Sequence, residues 1–227
     1  MIVATKPNPI EPNQKETLSD FVYSQLKDDI IYGRLAQGSK VKEEELAQRF
    51  GISRGPLREA IQRLEGSKLV LRVPRSGVRV VTLDEKMMTD IYVVREALEG
   101  MSARLAAKSM PNNEIDNLWQ LLDQHQKNIE QAEGKNYFQK EGDLDFHYRI
   151  ALSSENNWLL QLLGSELYQL LRICRQRSSK QPLRPVKALN EHHMIMEAIS
   201  SRDEELAEML MRRHISGAWQ IVKETLL

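Results

Sequence analysis

The run from residue 43 to residue 80 constrains the fold of this chain more than any other part of the sequence. Its predicted elements, in chain order, are a helix over 43–50, a helix from 53 to about 65, and strands over 69–73 and 78–81. Gly51 ends the first helix, since glycine tolerates the left-handed backbone that follows a helix. Ser53 begins the second helix, and Pro74-Arg75-Ser76-Gly77 is typical of a hairpin turn between two strands.

A further helix is predicted upstream, because apolar residues recur there at the spacing of one helical face. These residues are Leu18, Phe21, Val22, Leu26 and Ile30. Thr17 or Ser19 would cap this helix. Three helices followed by a β-hairpin form a winged helix-turn-helix, which we predict over residues 17–82. Residues 1–16 hold three of the eight prolines and little apolar periodicity, so they are predicted to form a flexible tail.

The charge of the chain is balanced overall but not locally. Lysine and arginine together number 32, as do aspartate and glutamate, which gives a net charge of zero. Between Arg49 and Arg79, however, eight basic residues face only Glu59 and Glu65, which gives a local net charge of +6. A local basic region attracts the phosphate backbone of DNA even in a neutral protein.

The start of the second helix of the motif carries the residue types that DNA recognition needs. Ser53 can cap the helix and offer a hydroxyl to a phosphate. Arg54 and Arg58 are four residues apart and share one helical face, and arginine can bind guanine O6 and N7 with two hydrogen bonds. Gly55 leaves room for a close approach of the backbone, and Arg75 at the hairpin tip is placed for a minor-groove or phosphate contact. The alternative is a solvated basic face on a small helical domain.

The rest of the chain, residues 83–227, is predicted to be entirely α-helical. Helical faces are predicted at roughly 84–109, 112–134, 135–154, 156–178, 186–200 and 203–226. The fold class is therefore mainly α, with an N-terminal winged helix-turn-helix and a C-terminal helical bundle. No window approaches eighteen consecutive apolar residues, which predicts no membrane span. The N-terminus lacks a signal-peptide core, and a single cysteine, Cys174, suits a reducing cytoplasm.

Four polar residues of the second half are predicted to point into the bundle. Asp143 and His147 are four residues apart, on a face that continues through apolar positions. His192 and His214 each lie in an apolar stripe of a later helix. Asp145, by contrast, is predicted to form a surface ion pair with Arg149.

One inward carboxylate and three inward imidazoles are costly to bury unless they have partners. A divalent metal ion would partner them, and three nitrogens with one oxygen suit zinc, nickel, manganese or iron. Open coordination positions would admit an anionic ligand. Separate hydrogen-bonded core histidines are the alternative, and His125, which lies in another inward stripe, is interpreted in that way.

The first part of the chain resembles the GntR superfamily, specifically its FadR-like branch. The resemblance rests on Leu35–Ser39, Leu46-Ala47, Phe50–Arg54, Leu57–Ala60, Arg63–Glu65 and the wing residue Gly77. It implies that Ser53, Arg54, Gly55 and Arg58 lie at DNA-contacting positions, with a wing contact near Arg75 and Gly77. Glu44 departs from some relatives, which carry a DNA-contacting arginine there, so the operator sequence cannot be transferred.

Residues 84–220 resemble the ligand-sensing FCD domain. The matching stretches are Arg95–Glu99, Asp143–His147, Asn156, Glu191-His192 and Met211–His214. The resemblance implies a bundle of six or seven helices and a metal bound by Asp143, His147, His192 and His214. It also assigns Arg95 to effector binding or its transmission, although a surface pair with Glu99 would equally explain Arg95. Arg172 is a second candidate for holding a carboxylate.

Together these patterns predict a homodimeric transcription regulator, a repressor rather than an activator, that binds a short inverted-repeat operator on double-stranded DNA. A small organic acid held by the metal and an arginine would control that binding. Two alternatives are a metal-dependent enzyme, since an open metal position can activate water, and a regulator whose metal is purely structural.

Overall fold

The computed structural model of the chain describes residues 17–133, 145–179, 181 and 184–224. It divides into two compact units, which meet in the sequence between Thr82 and Leu83. Within the described ranges, no helix has a stretch that is long and apolar enough to cross a membrane.

The first unit has three helices and a two-stranded antiparallel sheet, as the sequence predicts. The elements are α1 (Leu18–Ile31), α2 (Glu43–Phe50), α3 (Arg54–Gly66), β1 (Val70–Val73) and β2 (Gly77–Val80). Val70 pairs with Val80, and Val73 pairs with Gly77. A segment that the sequence did not predict extends this sheet, because the Val41 amide donates to the Val78 carbonyl at 2.8 Å. The Val80 amide likewise donates to the Ser39 carbonyl at 2.9 Å.

The local signals at both ends of the helices explain these boundaries. The Thr17 hydroxyl accepts a hydrogen bond from the Asp20 amide while the Asp20 carboxylate accepts from the Thr17 amide, which is a capping box. Gly51 ends α2 in the left-handed conformation, with φ of 64°. Leu18, the first residue of the predicted apolar face, is 45% exposed. It is the first residue of α1, at the solvent-exposed end of the helix.

The second unit is all-helical in the described residues. Its helices are α4 (Glu85–Ser109), α5 (Asn112–Gln131), α6 (Phe146–Ser153), α7 (Asn157–Gln161), α8 (Tyr168–Ser179), α9 (Arg184–Ser200) and α10 (Glu204–Glu224). The long helices α4 and α10 pack most extensively against each other, and α9 contacts both of them and α5. The buried faces of these helices form the core into which the predicted site residues point.

Two helices of this unit differ from their predicted extent. The helix predicted over 156–178 is divided into α7 and α8 by a π-helical turn at Leu162–Glu166. Gly164 lies in this turn, where an added Cβ would come within 3.0 Å of the Tyr148 ring. The helix predicted over 135–154 begins only at Phe146, and the residues from 134 to 144 lie outside the described ranges.

Candidate nucleic-acid interface and candidate metal centre

The N-terminal end of α3 presents polar and small residues to solvent. Ser53 precedes the helix in an extended conformation as its N-cap residue, and Arg54 is the first helical residue. Both are exposed, whereas Leu57 and Ile61 are buried on the opposite face. The predicted capping bond from the Ser53 side chain is not formed. No atom lies within 4 Å of a Cβ added at Gly55, so packing within the described residues does not require glycine at this position.

Arg58 is exposed on the same side of α3, as predicted. Its Nε donates to Oε2 of Glu43 at 2.8 Å, and the Arg58 side chain is 64% exposed. An ion pair this exposed contributes about 0–1 kcal/mol. A DNA phosphate or base can therefore replace Glu43 at little cost. Glu44, the residue that departs from the family pattern, is exposed on the first turn of α2.

The hairpin tip has the left-handed backbone that a tight turn needs. Arg75 adopts φ of 61° and Gly77 adopts φ of 83°. The Ser76 amide donates to the Val73 carbonyl at 3.0 Å, which closes the turn. Arg75 is exposed at this tip.

The eight basic residues from Arg49 to Arg79 differ in whether they have a polar partner within the first unit. Five are held within the unit: Arg49 by Asp29, Arg58 by Glu43, Arg63 by Asp20, Arg72 by Glu65, and Arg79 by the Gly38 carbonyl. Arg54, Lys68 and Arg75 have no ion-pair partner among the residues that the structure describes. Two of these three are residues that the sequence assigned to DNA contacts.

The three predicted histidine ligands come together in the second unit. His147 on α6, His192 on α9 and His214 on α10 are all buried, and their ligand atoms lie within 4.8 Å of one another. Nε2 of His192 is 3.3 Å from Nε2 of His214. Two nitrogens bound to one zinc ion at 2.0–2.1 Å in tetrahedral geometry would be about 3.3 Å apart. Asp143, the predicted fourth ligand, lies outside the described residues.

Two carboxylates orient these imidazoles, and neither was assigned to the site from the sequence. Oε2 of Glu99 lies 2.5 Å from Nδ1 of His147, and Oε2 of Glu191 lies 2.6 Å from Nδ1 of His214. A neutral imidazole that donates from Nδ1 keeps the lone pair on Nε2. Metal-binding histidines commonly have such a carboxylate partner, so the donor set fits a divalent ion.

The electrostatics of the cluster keep the imidazoles neutral. Burial lowers the pKa of His147, although the nearby Glu99 charge opposes the shift. Burial and the neighbouring His214 and His147 hold the pKa of His192 well below its usual value. Burial lowers the pKa of His214 to about 3 against the opposing hydrogen bond to Glu191. Neutral imidazoles are the form that coordinates a metal.

Asp145 does not form the surface ion pair predicted from its spacing to Arg149. Its side chain is 2% exposed, and it caps α6 by accepting from the His147 and Tyr148 amides. Its second oxygen lies 2.5 Å from Nη1 of Arg175. Arg149 pairs instead with Glu114 on α5. The prediction failed because α6 begins at Phe146, so Asp145 is the residue before the helix and not part of its surface.

A small cavity of about 50 Å³ adjoins the histidine cluster. All three histidines line it, together with four arginines from three helices: Arg95 on α4, Arg172 and Arg175 on α8, and Arg184 on α9. The two predicted effector residues, Arg95 and Arg172, are thus both at the cavity. The surface pair considered for Arg95 and Glu99 is wrong, because the pair is formed at 2.6 Å but both side chains are at most 3% exposed.

Comparison with known families identifies both units. Residues 18–80 match the family described as bacterial regulatory proteins, gntR family, and residues 90–217 match the FCD domain. The chain belongs to the gntR family. The predicted mainly helical fold with an N-terminal winged helix-turn-helix is confirmed by this match and by the structure.

The relatives of this gntR-family chain are transcription regulators. It is 30% identical over 214 residues to a Paenarthrobacter nicotinovorans protein described as a probable D-xylose utilization operon transcriptional repressor, with 92% of each chain covered. It is 26% identical over 224 residues to the HTH-type transcriptional repressor RspR of Escherichia coli, covering 99% of this chain and 95% of that one. E. coli McbR/YncC shares the fold, with a TM-score of 0.70 at 20% identity, over 92% of this chain and 99% of that chain. The chain is therefore a DNA-binding transcription regulator and not an enzyme.

Proposed function

We propose that this regulator is a repressor of the FadR-like branch whose operator binding is controlled by a small organic acid bound at a divalent metal. One observation carries the proposal: three buried histidines converge beside a cavity lined by four arginines. An imidazole cluster suits a metal cation, and guanidinium groups suit a carboxylate. The regulator would lie in the cytoplasm, where bacterial DNA is found.

The DNA contacts are proposed at the start of α3 and at the wing, through Ser53, Arg54, Gly55, Arg58, Arg75 and Gly77. Support comes from the exposure of the N-terminal end of α3 and from Arg54 and Arg75, which have no ion-pair partner among the described residues. We expect Arg54→Ala to weaken operator binding by about 1–3 kcal/mol, the value of one bidentate base contact. Lys108→Ala, an exposed cation at the end of α4, is the control. Equal binding by both variants would contradict the assignment.

The metal would be held by His147, His192 and His214, with Asp143 proposed as an oxygen ligand. Zinc and nickel suit this donor set best, and manganese and iron are also compatible with it. When bound, the ion supplies positive charge and open coordination positions for an acid. Elemental analysis of purified protein should give one metal per chain, and His147→Ala should lower that ratio. Metal-free wild-type protein that still binds effector would contradict the role of the ion.

The effector is proposed to be a small carboxylate held by Arg95 and Arg172. The cavity of about 50 Å³ favours an acid of few carbons, because a cavity needs roughly 10–15 Å³ to hold one water molecule. A thermal-shift screen of small organic acids, with and without chelator, tests this. An acid that raises the melting temperature only with metal supports the proposal, and no response to any acid would indicate a purely structural metal.

The regulator is also proposed to act as a homodimer on an inverted-repeat operator, so that the two-fold symmetry of the protein matches that of the DNA. Helix α4 carries exposed apolar side chains at Val93, Val94 and Met101, between 40% and 65% exposed. A second copy of the chain would cover such a row. Sedimentation analysis should give a dimer, and Val93→Glu should shift it toward monomer.

A further inference from the structure

Two faces of helix α8 make different contacts within the second unit. One face lines the cavity with Arg172, Arg175 and Ser179. Arg177 lies two residues after Arg175 and therefore points elsewhere, since successive helical residues are 100° apart. Its Nη1 donates to the Leu83 carbonyl at 3.4 Å and contacts the Met88 sulfur at 2.8 Å.

Leu83 is the first residue of the second unit, directly after Thr82, and Met88 lies in the first turn and a half of α4. The helix that lines the cavity thus also holds the segment through which the chain leaves the DNA-binding unit. We propose that Arg177 couples the cavity to this junction: an acid bound in the cavity shifts α8, and Arg177 transmits the shift to Leu83. This coupling rests on the proposed effector site and assigns its regulatory output.

Two features of α8 support a helix that changes position when the cavity is occupied. The helix follows the π-helical turn Leu162–Glu166, and such turns occur frequently at functional sites. It also carries two buried polar atoms, Nε of Arg175 and Oε1 of Gln176, that lack a hydrogen-bond partner among the described residues. Buried polar atoms in that state are rare. An acid oxygen that accepts a hydrogen bond from Nε of Arg175 would satisfy one of these two atoms. The new hydrogen bond would draw α8 toward the acid.

The test removes the coupling contact without touching the cavity. Arg177→Met keeps the length of the side chain but loses its donors, and Arg177→Lys restores one donor. The matched control is Arg202→Met, because Arg202 donates to the Met110 and Ala107 carbonyls at 2.6 and 3.3 Å, at the opposite end of α4. Each variant is loaded with zinc and titrated with an operator duplex selected from random DNA, with and without malonate as the probe acid.

In wild-type protein we expect malonate to raise the melting temperature and to weaken operator binding by about 5- to 150-fold, the usual range of allosteric coupling. Arg177→Met should keep the malonate-induced thermal shift but reduce the change in operator affinity to less than about twofold. Arg177→Lys should recover part of the response, and Arg202→Met should respond like the wild type. An undiminished response in Arg177→Met, or equal loss in Arg202→Met, would overturn the coupling alone. No thermal shift in wild-type protein would overturn the effector site together with it.

A second variant makes the test independent of added acid. Ser179→Asp places a carboxylate among the cavity arginines, with Ser179→Asn as its uncharged control. We expect Ser179→Asp to weaken operator binding and the double variant with Arg177→Met to bind like Arg177→Met alone. Additive effects of the two substitutions would contradict coupling through Arg177.

Discussion

Replacing Glu191 with glutamine tests whether the histidine cluster is a metal site with oriented ligands. Oε2 of Glu191 lies 2.6 Å from Nδ1 of His214 and 2.6 Å from Nη1 of Arg184. Glutamine keeps the size of the side chain and one acceptor oxygen but loses the negative charge. His214 then becomes a less basic ligand, and its ring is held by a weaker bond.

The expected magnitude follows from the position of the carboxylate. Removing a carboxylate partner of a metal-binding histidine lowers metal affinity by about 10- to 100-fold, which is about 1.4–2.7 kcal/mol. Glu191 is the better choice than Glu99. The Glu99 side chain is 3% exposed and contacts two arginines, Arg95 and Arg175, whereas Glu191 is 19% exposed and contacts one, Arg184, so replacing Glu191 disturbs fewer buried charges.

The assay is competition for zinc between the protein and a chelating dye of known affinity. Glu197→Gln is the matched control, because Glu197 lies on the same helix, α9, but is exposed. We expect the control to bind zinc like the wild type. Unchanged affinity in Glu191→Gln, or an equal loss in Glu197→Gln, would refute the reasoning that the carboxylate prepares His214 for a metal.

The remaining predictions concern stability. Metal-free protein should lose stability as the pH falls from about 6.5 toward 3, because the unfolded state binds a proton at His214 that the folded state, with a pKa of about 3, does not. At pH 5 we expect His214 to lower the free energy of unfolding by about 2 kcal/mol, which urea titration measures. His214→Gln should remove that contribution. Asp145→Asn should cost about 1.5–3 kcal/mol, because it removes the carboxylate nearest to the Arg175 cation while Glu99 stays 3.6 Å away; a loss below 1 kcal/mol would contradict this ion pair. Leu57→Ala, at a fully buried position, should cost about 2–5 kcal/mol in calorimetry, and Gly51→Ala, at φ of 64°, about 1 kcal/mol.

The winged helix-turn-helix could be predicted closely from the sequence because its signals are local. Gly51 ends α2, Ser53 begins α3, and Gly77 ends the hairpin turn, each within a residue of its predicted place. The segment from Ser39 to Val41 that extends the sheet was missed, since its pairing depends on residues nearly forty positions later.

The inward positions of His147, His192 and His214 could be predicted because each lies in an apolar stripe whose period identifies the inward face. The carboxylates Glu99 and Glu191 could not, because each meets a histidine from a different helix. The four-residue spacing of Arg95 and Glu99 shows that they share a face of α4. It does not show which face, and the helix buries small and apolar residues on several sides. The packing of α4 against α6 determines that the face with Arg95 and Glu99 is buried. The sequence of α4 alone does not indicate this packing.

The ion pairs around the cavity are themselves an argument for ligand binding. Three guanidinium groups are held there by buried or partly buried carboxylates: Arg95 by Glu99, Arg175 by Asp145, and Arg184 by Glu191. Moving such charges out of water costs several kcal/mol per ion, and apolar residues of similar volume often stabilise a fold as well or better. Stability alone therefore does not explain three such pairs around one small cavity. The proposed anionic effector would account for them, because guanidinium groups already fixed in place by their carboxylates would lose little side-chain entropy on binding it.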